Sequence, residues 1–278
     1  MMALKWSRVV RRTAGVQLKL LGRAWPARLA DLLMPSAIAL VPVILGRAVA
    51  GEQAGVNFAR YAATANFAGF LLIGGGCFLL VTRALWGFGG WLRQSMAAGT
   101  LESLYLSPAP MPAILAGVAL AFAVYSALIF AGAMVVGAIL FRVALGGNQG
   151  WLAPIFLLVG LPPVYGLALL YGALVLRVKE TDAFIQIAQW LAALLMGVYV
   201  PLAVFPPALK LAGLLFPPAW LAHDLRAALL GIPYLSPHWS IDAAVLALFA
   251  VAGPWLGYAA FARAETSLRQ SAGLGSDW

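Results

Sequence analysis

Residues 99–108 read Gly-Thr-Leu-Glu-Ser-Leu-Tyr-Leu-Ser-Pro, a polar, charge-bearing island between two long apolar stretches at 61–83 and 113–141. A helix needs roughly 20 apolar residues to cross the hydrocarbon core of a bilayer. Each flank supplies that many, so the island is the connection between two membrane spans. Such a connection needs only turn residues. A run of helix-compatible residues that carries Glu102 and stops at Ser107-Pro108 reads instead as a docking handle for a partner.

Outward from the island the apolar runs continue, with spans expected at 32–49, 61–83, 113–141, 151–176, 184–203 and 241–262. Composition agrees: 63% of residues are hydrophobic, 10% are charged, and the mean hydropathy is +0.93, far from the soluble norm. The expected fold is an all-α integral membrane domain with six transmembrane helices. Cys77 is the single cysteine and lies in an apolar run, so no intrachain disulfide and no cysteine metal site can form. Pro35, Pro42, Pro154, Pro162 and Pro163 fall inside spans and are read as kinks that neighbouring helices satisfy.

Basic residues set the topology, because cytoplasmic flanks retain Lys and Arg. With the N-terminus inside, the outer side receives only Arg47, Arg60, Arg142, Lys210 and Arg226 of the 18 basic residues. Both termini are therefore expected in the cytoplasm, together with the island. The net charge of +9 is then a topology signal, and no nucleic-acid partner is needed to explain it.

Residues 1–28 carry basic residues along their whole length with no compact apolar core, which excludes a cleavable signal. At 100° per residue Lys5, Arg8, Arg12, Lys19 and Arg23 share one narrow face, and Trp6, Val9, Val10, Val16, Leu20 and Leu21 lie opposite. The segment is expected to be an interfacial helix lying in the lipid headgroups.

The expected spans hold no Asp, Glu, Lys or Arg near their centres, whereas ion-coupled transporters bury ionisable groups there. Arg47, Arg142, Arg177 and Asp242 sit at span ends, and Gln186 and Gln189 are the most polar side chains of the fifth span. Energy must enter from elsewhere, yet no Gly-x-x-x-x-Gly-Lys-Ser/Thr loop exists in the chain. Enzyme chemistry has no support either. His223 and His238 lack metal-ligand spacing, and His223-Asp224 with Arg226 reads as part of a short amphipathic outer helix. Gly74-Gly75-Gly76 has no strand-turn-helix context and is read as close helix packing or a local kink.

The stretch Ala-Gly-Thr-Leu-Glu-Ser-Leu-Tyr-Leu-Ser-Pro at 98–108 resembles the segment between the second and third spans of type 2 ABC exporter permeases. That family places Gly-Thr-Leu-Glu, a following Leu and a Ser/Thr-Pro pair there. Gly89-Gly90-Trp91-Leu92-Arg93-Gln94-Ser95 matches the start of the family's amphipathic coupling helix, which rests in a groove of the ATP-binding subunit. At 97–98 the pattern departs: Ala97 and Ala98 stand where many members have a charged residue, which leaves more of the polar contact to Glu102.

The resemblance covers nearly the whole chain and implies one domain over 1–278: interfacial helix 1–28, spans one to five over 32–203, a re-entrant outer region 204–231, span six at 241–262 and a cytoplasmic tail 263–278. It implies that Trp91, Arg93, Gly99, Thr100, Leu101, Glu102, Leu104 and Pro108 form the coupling region. There Thr100 would cap the following turn, Leu101 and Leu104 would fill an apolar groove of the ATPase, and Glu102 would pair with a basic residue. Phe205-Pro206-Pro207 and Phe216-Pro217-Pro218 divide 204–231 into segments too short to cross, which resemble the family's outer gate.

The implied function is that of the non-catalytic permease subunit of an exporter in the bacterial plasma membrane, moving an amphipathic drug, lipid or glycan-type substrate. Its partners would be two copies of an ABC ATP-binding subunit, a second permease copy or paralogue, and membrane lipid. ATP and Mg would be bound by the ATPase, with no cofactor in this chain. A membrane scaffold that recruits a different cytoplasmic partner through 90–108, and an ion-coupled carrier, are the alternatives.

Overall fold

The computed structural model describes residues 2–23, 25–147, 149–178 and 182–271, leaving out the side chains of 2–5, 25–28, 52 and 268–271. The topology reading of Lys179 and the tail beyond 271 lie outside the described residues. Among the described residues every regular element is a helix. In chain order these are α1 (Met2–Arg23), α2 (Trp25–Ala50), α3 (Ala54–Ala62), α4 (Phe67–Ala97), α5 (Thr100–Leu106), α6 (Met111–Phe141), α7 (Ala153–Val175), α8 (Asp182–Leu195), α9 (Pro207–Leu214), α10 (Pro217–Leu230) and α11 (Trp239–Ser271).

Helix α4 is the axis of the bundle. The Asn66 side chain accepts from the Gly69 amide at 2.9 Å and starts it, and it then runs 31 residues, about 46 Å at 1.5 Å per residue. Its three consecutive glycines face three different neighbours. A Cβ on Gly74 would strike the Arg226 guanidinium of α10, one on Gly75 would meet Pro35 O of α2 at 3.2 Å, and one on Gly76 would meet Phe130 of α6 at 2.7 Å. The triplet is thus the place where three helices approach α4 at once, as the packing reading anticipated.

A second close seam joins α7 to α11. A Cβ on Gly166 would collide with the Gly253 backbone, and one on Gly253 would meet Pro163 Cα at 2.9 Å. Gly253-Pro-Trp-Leu-Gly257 is a small-xxx-small pattern that lets the two backbones touch. The pairings 163 with 253, 169 with 257 and 172 with 261 rise together, so α7 and α11 run parallel.

Among the described residues, five helices are long and apolar enough to cross a membrane, over Leu29–Ala50, Phe67–Ala97, Met111–Phe141, Gly150–Val175 and Trp239–Ser267. The chain is a multi-helix membrane-type protein, and four sequence expectations need correction. The fifth span expected at 184–203 is a half-length helix: α8 has 14 residues, about 21 Å against the roughly 30 Å hydrocarbon core. It stops because Gly197 turns to φ +60, where a Cβ would meet Val200 O at 2.7 Å.

The span expected at 61–83 begins at 67 and runs to 97. Residues 61–62 belong to α3, and Arg83 does not end α4, because its charge is paired with Asp31 of α2 inside the bundle. The interfacial helix expected over 1–28 ends at Arg23, and α2 already begins at Trp25. Pro154 opens α7 at its first turn, where no amide hydrogen bond is lost, and so makes no kink.

The two ends of the bundle follow from these contacts. Helix α4 starts beside Leu230 of α10, since a Cβ on Gly69 would meet that side chain at 2.9 Å, and it ends next to α5. Helix α2 rises from the α5 end, with Gly46 near Phe67 at the α10 end, and α11 descends beside α7 to the α5 end. The start of α2 and the end of α11 therefore lie at the same end as α5.

Candidate functional site

At the α5 end, Gly99 adopts φ +65 and breaks the chain away from α4. Helix α4 continues unbroken through Trp91 and Arg93 to Ala97, so no separate helix begins at 89, where the coupling helix was expected, and the next helix begins at Thr100. Helix α4 runs through Gly87 and the Gly89-Gly90 pair, where Cβ atoms on Gly87 and Gly89 would meet Phe122 and Tyr171, and it breaks only at Gly99. The Thr100 hydroxyl donates to the Ser95 carbonyl of α4 at 3.1 Å and ties the break, and no side chain caps α5.

Leu101 is buried in the bundle's own core, Leu104 is half-buried, and Glu102 and Pro108 are exposed. Of the two leucines expected to fill a partner's groove, Leu101 is thus already occupied. Leu106, 88% exposed, is the apolar side chain this helix presents outward. Ser107 closes α5 by donating to the Leu104 carbonyl at 2.7 Å, after which Pro108 and Pro110 lead into α6.

Trp91 stacks near Phe88 with ring centroids 5.9 Å apart. Arg93 pairs with Asp182 at the start of α8 and lies over the Trp86 ring at 5.9 Å. Trp86 in turn donates to Gln189 of α8 at 3.2 Å. Arg93, expected at the ATPase contact, is here the strut between α4 and α8.

Helix α1 packs along the first turns of α6, where Val10, Ala14 and Leu21 are buried and a Cβ on Gly117 would meet Thr13 at 2.7 Å. Trp6, Val16 and Leu20 stay exposed, as do Arg8, Arg12, Lys19 and Arg23 on the other face; the side chain of Lys5 lies outside the described residues. The expected apolar face thus divides into a packing edge and an exposed edge.

The α10 end differs. After the half-helix α8 the chain continues to a short 3-10 turn at Leu202–Val204 beside α3. Phe205-Pro206-Pro207 then starts α9, which returns to bring Gly213 level with the Leu195 carbonyl. Phe216-Pro217-Pro218 reverses the chain into α10, with Pro218 buried and Trp220 donating to the Leu214 carbonyl at 2.7 Å. The two proline pairs sit at the two reversals of a hairpin that dips into the bundle and comes back.

Inside that hairpin are the ionisable groups the sequence reading missed. Arg226 is 2% exposed, its guanidinium lies 3.7 Å above the Phe70 ring, and it donates to the carbonyls of Phe70, Met196, Gly197 and Val198 at 3.0–3.5 Å. Three of those carbonyls belong to the turn 196–198 that follows α8, whose amides already close the helix by donating to the carbonyls of Ala192, Ala193 and Leu194. Buried carbonyls without donors are costly, and a turn that presents three of them suits a cation. Arg226 therefore ties the turn after α8 to α10 and α4, about 10 Å along α4 from its start, at Gly74.

Asp224 and Asp242 are both fully buried. Asp242, expected at the interface, instead accepts from the Leu235 amide at 2.9 Å, the Ser236 amide at 3.0 Å and the Ser236 hydroxyl. Neither oxygen of Asp224 has a donor. Burial first, and then the neighbouring Asp242 carboxyl, pushes Asp224 up to about 9. The buried charges lie in the 204–231 region and in the first turn of α11, outside the centres of the expected spans. The signal available in the sequence was the pair Asp224 and Arg226 two apart on a helix, which puts charges on opposite faces and leaves neither face apolar.

Between α6 on one side and α7 and α11 on the other lies an apolar groove of about 540 Å³, walled by Leu115, Ala119, Leu161 and Pro254. Its polar feature is Tyr165, whose hydroxyl pairs with Ser126 at 3.1 Å. Compared with protein-family models and with curated proteins, the chain matches neither.

Proposed function

We infer that this chain is the membrane subunit of an ATP-driven exporter of the type 2 ABC class, moving an amphipathic substrate outward across the plasma membrane with both ends of the chain in the cytoplasm. The supporting observation is α5. A short helix with exposed Glu102 and Leu106 is fixed by Gly99 and Thr100 to the end of the almost wholly buried α4. A push on α5 by a closing ATPase would reach α4, and through the Gly74–Gly76 contacts α2, α6 and α10. ATP and Mg would be held by two copies of the partner, and a second permease copy would complete the pathway. The α6–α7–α11 groove offers the apolar part of such a substrate a place.

The test is a search of the adjacent reading frames for a chain with a phosphate-binding loop, followed by reconstitution with it in nanodiscs and vesicles. Co-purification and ATP-dependent export support the reading, and full transport without any ATPase contradicts it.

An ion-coupled carrier is the second reading, favoured by the buried Asp224, Asp242 and Arg226. Its signature is transport abolished by collapsing the proton gradient while ATP stays intact.

A further inference from the structure

The buried carboxyl of Asp224, on α10, accepts no hydrogen bond through either oxygen. Arg226 is committed to four carbonyls on the opposite flank of α10. A ring nitrogen of His223 bonds the Pro233 carbonyl at 2.9 Å. Asp242 gathers Leu235 and Ser236. Both oxygens of Asp224 are without a donor, its carboxyl neighbour is Asp242, and the Tyr234 hydroxyl, also buried, has no partner.

Two ionised carboxylates in that position would add like-charge repulsion to the desolvation of two oxygens without donors. One proton removes the repulsion and turns one of those oxygens into a donor with an acceptor beside it. We propose that Asp224 and Asp242 share a single proton, the Asp224 carboxyl donating its O–H to the Asp242 carboxylate, so that the pair is a proton-binding site that latches the start of α11 and the 231–238 segment onto α10.

The surroundings fit a proton better than a free anion pair. The titratable groups around Asp224 are His223 and Arg226 on its own helix, Tyr234 in the connecting segment and Asp242 on α11. Helix α4 brings Cys77, which faces Arg226; α7 carries no charged residue, and Lys210 of α9 is exposed. Among the described residues no cation therefore neutralises Asp224. Loss of the proton would set two carboxylates against each other and loosen α11 from α10, a response independent of any ATPase at the α5 end. The site stands or falls separately from the exporter reading.

The sign follows from linkage. The folded chain holds the proton up to about 9, whereas the unfolded carboxyl releases it near the ordinary carboxylate value, so stability from this group falls as pH rises across that window.

The test is infrared spectroscopy of the full chain in lipid nanodiscs, paired with thermal unfolding. The proposal expects a protonated-carboxyl absorption at neutral pH that fades as pH passes about 9 and is lost in Asp224→Asn, whose amide donates in place of the acid and flattens the alkaline fall in Tm. Should that variant not fold, Asp224→Glu with isotope-labelled glutamate carries the same test through an isotope-shifted absorption. Absence of the absorption from the unmodified protein at neutral pH, or an absorption that Asp224→Asn leaves unchanged, overturns the proposal.

Discussion

The α5 end and the α10 end of the bundle use charge in opposite ways. At the α5 end Arg93 and Asp182 pair across two helices while partly in solvent, and Glu102 is exposed. At the α10 end Arg226, Asp224 and Asp242 are buried, with backbone carbonyls, backbone amides and one another as partners in place of opposite charges. The difference separates an exposed, oppositely paired surface from a core arranged to hold a broken helix and a dipping hairpin in place.

The largest effect is expected from removing the Arg226 tie to the turn after α8. Arg226→Met leaves the carbonyls of Met196, Gly197 and Val198 without donors, and a loss of about 3–5 kcal/mol is expected, read as a collapse of the thermal midpoint in detergent. Arg226→Lys recovers only part, because an ammonium lacks the planar fork that reaches several carbonyls.

Next comes the α7–α11 seam. Gly166→Val drives side-chain atoms into the Gly253 backbone, and a destabilisation of about 1–3 kcal/mol or failure to assemble is expected. Wild-type stability in that variant would show that the two helices do not pack as described.

At the other end the stability effects shrink and the functional ones grow. Glu102→Lys is expected to leave insertion and Tm unchanged while weakening ATPase co-purification roughly tenfold, a change of about 1.4 kcal/mol. Unchanged co-purification and transport would remove Glu102 from that role. The smallest effect belongs to Arg93→Gln, since a pair this exposed contributes at most about 1 kcal/mol. A loss as large as that of Arg226→Met would erase the contrast between the two ends.

That contrast also marks what could be read from the chain. The α5 region was legible because its elements are contiguous: a glycine that breaks α4, seven helical residues and a proline stop lie within 99–108. The glycine triplet was legible as packing for the same reason. Helix α8 was not, because 184–203 is apolar enough to span and only Gly197 marks the break. Arg83 misled as a boundary because its partner, Asp31, lies 52 residues away on another helix. The α10 cluster was hidden more deeply, since residues 70, 196–198, 224, 226 and 242 meet only after the hairpin has folded. The half-buried Leu104 and the inward Leu101 follow the same rule: a seven-residue helix has one face against its own bundle, and periodicity alone does not say which.

The most direct measurement is photo-crosslinking from a benzoylphenylalanine placed at Leu106 in cells that express the neighbouring ATPase, with Leu101 as the buried control. The account predicts an adduct to the ATP-binding chain from position 106 that Glu102→Lys reduces, and none from position 101. Adducts to lipid alone, or reaction at position 106 only with reagents applied outside the cell, would contradict it.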